Sequence, residues 1–187
     1  MSWRRHVAPW KKDFMLTIDL KQMIRSVPDF PKPGINFFDI TTLLKDPGGL
    51  QATIDSLAGP YGASSVDIVV GIESRGFILG SAVAQRIGAG FIPVRKPGKL
   101  PAKAIKEIYE LEYGKDALEI HADAIEKGQR VLIVDDVLAT GGTAAAATRL
   151  VRHLGGELLG LAFLIELTFL EGKSKLAGEN VYSVLQY

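Results

Sequence analysis

The 187-residue sequence predicts an α/β fold: a mainly parallel, twisted sheet flanked by helices, with a small N-terminal hood and a mobile loop. Three observations carry that prediction. Short aliphatic runs alternate with longer helical patterns through the middle and end of the chain, which is the rhythm of strand–helix–strand units. The runs show no polar alternation, as expected of strands covered on both faces in a parallel sheet. The run "VLIVDD" passes through a small-residue turn directly into an alanine-rich helical stretch. At 47% hydrophobic and 23% charged, the chain supports one substantial core, and one domain is the default.

In chain order, residues 1–15, "MSWRRHVAPWKKDFM", read as an extension with no apolar stretch long enough for a signal or membrane segment; Met15 is an alternative start. A single domain is expected over 16–187. "LTIDLKQMIRSV" predicts an amphipathic helix with Leu20, Met23, Ile24 and Val27 on one stripe, stopped by "PDFPKPG". That passage leads into "INFFDITTLL" and makes a hood of about residues 16–45. "VDIVVGI" predicts a strand, "GFILGSAVAQRIG" a helix ending at Gly88, and "GFIPV" the next strand. The segment from Arg95 to His121 predicts a mobile loop, about 95–115, running into a β-ribbon. "RVLIVDD" is a strand, with a helix from about Thr143 to Leu154; "GELLGLAFLIEL" is a long strand and "VYSVLQ" a short last one.

The net charge of +1 gives no argument for a nucleic-acid or membrane surface as partner, and the absence of cysteine excludes disulfides, thiolate metal sites and a cysteine nucleophile. A reducing cytoplasm is compatible. His6, His121 and His153 have no metal-ligand spacing. A Walker loop fails because Leu167 stands where its first glycine belongs, and "GAGFIP" puts Pro93 at the last glycine of a dinucleotide fingerprint.

Ligands of an open parallel sheet sit beyond the carboxyl ends of the strands, which directs attention to "GIESRG", "RKPGK" and "VLIVDDVLATGGT". Asp135 and Asp136 alternate along a strand and point in different directions, which suits two neighbouring hydroxyls of a sugar better than a proton-sharing pair. The following "ATGGT" offers inward N–H groups, the Thr140 and Thr143 hydroxyls and a helix N-terminus, together a cradle for a monophosphate. A plain Asp cap and a tight Gly-Gly turn is the structural alternative.

"VLIVDDVLATGGT" resembles the phosphoribosyl pyrophosphate motif of type I phosphoribosyltransferases. "DFPKPGINFFDIT", "GIESRGFILG", "VRKPGKLP" and "YELEYGKDALEIH", in the same order and spacing, narrow the resemblance to the adenine phosphoribosyltransferase family, from about Ile24 onward. The resemblance implies a pentosyltransferase of purine salvage: adenine and phosphoribosyl pyrophosphate give AMP and pyrophosphate. It implies Mg²⁺ held mainly by substrate and water with no direct protein ligand, a homodimer, and a cytoplasmic location, without nucleic-acid or membrane partners. It assigns the ribose hydroxyls to Asp135 and Asp136, and the 5′-phosphate to Ala139, Thr140, Gly141, Gly142 and Thr143. Pyrophosphate falls to Glu73, Ser74 and Arg75 together with Arg95, Lys96 and Lys99. Adenine falls to Ile35, Asn36, Phe37, Phe38 and Leu167, and the position of Phe38 is often basic in the family. Glu112 matches the loop glutamate placed for proton transfer, with Tyr113 beside it. The alternation of Tyr109, Leu111 and Tyr113 also fits the apolar face of a ribbon. The rivals are an enzyme of the same fold acting on another base, and a non-catalytic regulator that binds the same donor.

Overall fold

The computed structural model describes residues 18–62, 65–110 and 114–187. The extension at 1–15 and two of the expected site residues, Glu112 and Tyr113, lie outside the described residues. The chain divides into two compact units, one running to Ala52 and one from Thr53 to Tyr187.

Among the described residues of the first unit, 18–27 do not form the expected helix. A 3-10 turn at Leu20–Met23 is capped by Asp19, whose Oδ1 accepts the Lys21 N–H at 3.0 Å, and Ile24 then turns extended at φ −89°, ψ 128°. Strand β1 (Arg25–Pro28) pairs antiparallel with β2 (Asn36–Asp39). The apolar stripe 20, 23, 24, 27 is too short to fix a period, and the β-branched Ile24 and Val27 suit the strand that this pairing offers. Cross-strand contacts hold the register: Arg25 pairs with Asp39, and Ser26 Oγ donates to Asn36 Oδ1 at 2.7 Å. The Thr41 N–H, and then Arg25, bring the Asp39 carboxyl down to about 2. The Phe30 and Phe37 rings meet edge to face at 5.2 Å. Helix α1 (Thr41–Leu44) follows, then α2 (Pro47–Ala58). The latter opens with Pro at its first position and Asp46 Oδ1 accepting the Gly49 N–H at 2.7 Å, so α2 begins with both a fixed φ and a side-chain cap.

The second unit is organised by a five-stranded parallel sheet. Its strands are β3 (Ile68–Ile72), β4 (Gly90–Val94), β7 (Arg130–Leu138), β8 (Glu157–Glu166) and β9 (Val181–Gln186), in the order β4-β3-β7-β8-β9. Val69, Val70, Leu132, Ile133, Leu161 and Leu164 are fully buried, the two-sided burial that continuous aliphatic runs encode. Each such side chain contributes about 1.5–3 kcal/mol on leaving water. Helix α3 (Arg75–Ile87) carries the chain from β3 to β4 and ends at Gly88, which takes the left-handed conformation at φ 76°. Helix α4 (Gly142–His153) joins β7 to β8. Between β4 and β7, strands β5 (Ala104–Glu110) and β6 (Lys115–His121) form an antiparallel ribbon. The ribbon occupies part of the stretch expected as loop, because the two strands satisfy one another's backbone groups. It is tied to the sheet's end where the Arg95 and Glu119 backbones exchange hydrogen bonds at 2.9 and 2.7 Å.

Candidate active site

The chemistry-bearing residues of the second unit collect where β3 and β7 end. Strand β7 runs on through both acids to Leu138, so Asp135 and Asp136 remain extended and direct their carboxylates to different partners. Asp136 is buried, and its Oδ2 lies 2.6 Å from Arg75 Nε at the start of α3. Asp135 packs over the next residue: a Cβ on Gly76 would come 2.7 Å from Asp135 Oδ1, so only glycine leaves room for that carboxylate. Asp135 Oδ1 also accepts the Asp136 N–H at 2.9 Å. Burial first, and then the neighbouring Asp136 charge, push the Asp135 carboxyl well above its ordinary range. The two acids diverge in direction yet remain electrostatically coupled.

Beyond them the 139–143 turn leads into α4. Gly141 is its N-cap at φ 77°, and because it has no side chain, no side-chain hydrogen bond caps the helix. The first turn of α4 carries no acidic residue. Uncapped N–H groups at the positive end of a twelve-residue helix are suited to an anion. A cavity of about 60 Å³ opens there, lined by Asp135, the whole 139–143 turn and Phe163. The turn is braced by backbone from a distant segment: a Cβ on Gly141 would lie 2.2 Å from Gly172 O, and one on Gly172 2.1 Å from Ala139 O. Lys173, next to that brace, donates to the buried Glu166 at 2.7 Å.

The third cluster joins the residues after β3 to those after β4. Glu73 Oε2 accepts the Lys96 N–H at 3.0 Å and the Arg95 Nε–H at 3.2 Å. The Lys96 N–H, followed by Arg95 and Lys99, lowers the Glu73 carboxyl from its ordinary value. Ser74 is the N-cap of α3, and the Glu73–Ser74 peptide is cis. Arg95 also donates to the Lys99 carbonyl at 3.1 Å and stands 5.9 Å over the Phe77 ring. The Lys96 ammonium pairs with Asp116 and lies 3.1 Å from the Tyr109 hydroxyl, which in turn is 3.3 Å from Thr143 Oγ1. Desolvation alone would lower the Lys96 pKa, but its bonds to Asp116 and Tyr109 outweigh that and raise it.

A family described as the phosphoribosyl transferase domain matches residues 40–182. The adenine phosphoribosyltransferase of Solibacter usitatus is 62% identical over 169 residues, 90% of this chain and 98% of that protein. The crystal structure of adenine phosphoribosyltransferase from Rhodothermus marinus, 57% identical, superposes with a TM-score of 0.86 over 90% of this chain and 96% of its own. That from Saccharomyces cerevisiae, complexed with an imino-altritol bisphosphate and adenine, is 45% identical with a TM-score of 0.84 over 89% and 96%. The chain belongs to the adenine phosphoribosyltransferase family.

Within this adenine phosphoribosyltransferase fold, Asp135, Asp136, Arg75 and the 139–143 turn form one neighbourhood, and Glu73, Arg95 and Lys96 another that abuts it. Leu167 follows β8 directly and donates its N–H to the Leu138 carbonyl at 2.9 Å, which sets it beside the end of β7. Ile35 is exposed and precedes β2, on which Asn36, Phe37 and Phe38 lie in the first unit. Successive strand residues face opposite ways, so Phe37 and Phe38 cannot both line one face. Among the described residues no three His, Cys, Asp or Glu side chains gather as a metal cage. Sequence reasoning missed the Tyr109 hydroxyl, Asp116 and Gly172. Tyr109 was legible only as one apolar position of a ribbon, and nothing in "LEGKSKL" announces that its glycine braces a turn so far upstream.

Proposed function

We propose a division of labour within this site for the family's reaction, in which adenine takes the phosphoribosyl group of phosphoribosyl pyrophosphate to give AMP and pyrophosphate. The uncapped N-terminus of α4 beside two strand-end acids carries the reading. Ala139, Thr140, Gly141, Gly142 and Thr143 hold the 5′-phosphate, and Asp135 and Asp136 hold the ribose hydroxyls. Arg75 and Ser74, with Lys96, Arg95 and Lys99, receive the pyrophosphate. Glu73 serves that end by positioning Arg95 and the Lys96 backbone rather than by meeting an anion, since a carboxylate would repel the polyphosphate.

Adenine N9 attacks ribose C1′ as the C1′–O bond breaks and its electron pair leaves with pyrophosphate. The ribose carries positive charge at the transition state, where the nearby acids are favourable and fixed donors stabilise the departing anion. The proton lost from adenine passes to Glu112, with Tyr113 alongside. For the base, the family resemblance assigns Leu167 at the end of β8 and, separately, Ile35, Asn36, Phe37 and Phe38. Mg²⁺ fits a donor set of this kind, since it keeps waters and phosphate oxygens as ligands and needs few carboxylates; when bound it would neutralise the polyphosphate. The ligands would be substrate oxygens and water, with no direct protein ligand.

The same reading carries a homodimer, for which the exposed Ile78 on α3 is an apolar surface position to cover, and a cytoplasmic location. No helix of the described residues is long and apolar enough to cross a membrane. AMP formation from phosphoribosyl pyrophosphate and Mg²⁺, with adenine, hypoxanthine, guanine and orotate compared in parallel, tests the assignment. Turnover is expected with adenine, and a folded protein inactive on adenine overturns it.

A further inference from the structure

Lys96, Tyr109, Asp116 and Thr143 come from four parts of the chain: the segment after β4, strand β5, strand β6 and helix α4. They meet at the Tyr109 hydroxyl, which lies 3.1 Å from Lys96 Nζ, 3.0 Å from Asp116 Oδ2 and 3.3 Å from Thr143 Oγ1. A phenol has one proton to donate and two lone pairs to accept with; an ammonium only donates and a carboxylate only accepts. The directions are therefore forced. Lys96 donates to Tyr109, Tyr109 donates to Asp116, and the remaining lone pair takes the hydroxyl proton of Thr143. Lys96 also donates to Asp116 directly, and Asp116 Oδ1 accepts the Ala117 N–H at 2.7 Å. Tyr109 is only 5% exposed, so water is a poor substitute for any member that leaves.

This junction has one member in each anion site of the proposed reaction. Thr143 has a single proton. When it turns to a phosphate at the start of α4, the Tyr109 oxygen loses a donor and holds Lys96 more firmly. When a pyrophosphate draws Lys96 away, the same oxygen depends more on Thr143. We propose that the Tyr109 hydroxyl is a shared hydrogen-bond junction through which the 5′-phosphate and pyrophosphate sites compete, so that AMP and pyrophosphate loosen one another at the end of turnover. Tyr109 and Asp116 are positioning residues in this scheme, acting through Thr143 and Lys96. The inference rests on the phosphate assignments above. It adds a coupling between the two sites that those assignments do not contain.

The test is calorimetric titration of ribose 5-phosphate and of pyrophosphate, each alone and each in the presence of the other, in Mg²⁺ buffer. The proteins are the full wild-type chain, Tyr109→Phe and Asp116→Asn. In Tyr109→Phe the Thr143 proton is free for phosphate, so ribose 5-phosphate alone binds about threefold tighter, and the coupling factor shifts about fivefold toward mutual tolerance. In Asp116→Asn the charge competing for Lys96 is gone, so pyrophosphate alone binds more tightly. Damage to packing alone would weaken binding, so a gain of affinity separates the junction from a structural role. Wild-type coupling in Tyr109→Phe, or weaker ribose 5-phosphate binding by a variant with unchanged melting temperature, overturns the junction. A wild-type chain that binds neither ligand overturns the site assignment itself, and the junction with it.

Discussion

The Nε of Arg75 lies 2.6 Å from Oδ2 of Asp136, joining the first residue of α3 to the end of β7. Arg75 therefore compensates a buried acid in the free protein, and in the proposed pyrophosphate role it would start from a guanidinium already engaged. Arg75→Ala is expected to destabilise the fold by about 1–3 kcal/mol, because the Asp136 acceptor is left buried. Adding Asp136→Asn should return part of that loss without restoring turnover. A double-mutant cycle in denaturant measures the coupling; a coupling energy near zero would remove Arg75 as the partner of Asp136.

Asp135 carries a cost that its isostere lacks. Its carboxyl is raised by burial and by Asp136, so the folded state resists ionisation: the penalty is absent below the ordinary value of 3.8 and grows as pH rises through the raised one. Asp135→Asn should melt about 2–4 °C above wild type at neutral pH, with the gap closing toward about pH 4. It should also lose most of its turnover if Asp135 holds the ribose as proposed. A variant less stable than wild type at pH 7 would contradict this account.

Glu73 behaves with the opposite sign. Its carboxyl is lowered, first by the Lys96 N–H and then by Arg95, so its contribution is fully present above the ordinary value of 4.5 and is lost as pH falls through the lowered one. Glu73→Gln should be less stable than wild type at pH 7 and nearly equal to it at the acid end of that window. Its KM for phosphoribosyl pyrophosphate should rise about threefold to tenfold while that for adenine holds, since one charge-assisted bond positions the cations. An equal rise in both KM values would argue against a role confined to the pyrophosphate end.

Glu107 and Glu112 separate ribbon packing from proton transfer. Glu107 on β5 is occupied, accepting from Arg149 of α4 at 2.5 Å, so Glu107→Gln should leave kcat within a few-fold of wild type. Glu112→Gln should lower kcat by about 10²–10⁴-fold if the carboxylate takes the adenine proton. Steady-state rates of the two purified variants decide between them, and the reverse ranking would move the proton-transfer role to Glu107.

The parallel sheet and its connections were readable because their signals are local and repeated. Val69 to Ile72 and Val131 to Val134 are buried as continuous aliphatic runs should be, and α3 stops at Gly88, the glycine that could accept φ 76°. The stretch around Leu20 was misread because four apolar positions at helical spacing fit a strand and a turn equally well, and pairing with Asn36–Asp39 decided between them. The family's motif residues were readable from the sequence, but not whom they bind in the free protein. That Glu73 holds Arg95, that Arg75 holds Asp136, and that Tyr109 meets Lys96 and Thr143 are contacts between segments distant in sequence, and no periodicity encodes them.

The meeting of Gly141 with Gly172 admits a direct check. Gly172→Ala drives a methyl against the Ala139 carbonyl, so it should cost about 1–3 kcal/mol and raise the KM for the donor more than that for adenine. Urea unfolding and two-substrate kinetics read the two effects. Unchanged stability would show that the 139–143 turn tolerates displacement.

That meeting also orders events during synthesis. Strand β7 and the acids at its end leave the ribosome before Gly172, so a nascent chain can assemble β3, β4 and β7 while its 139–143 turn still lacks the backbone that fixes its shape. A chain folded only through β7 would then be a sheet whose 139–143 turn lacks its brace. The final shape of that turn would arrive late and abruptly, when the segment around Gly172 docks.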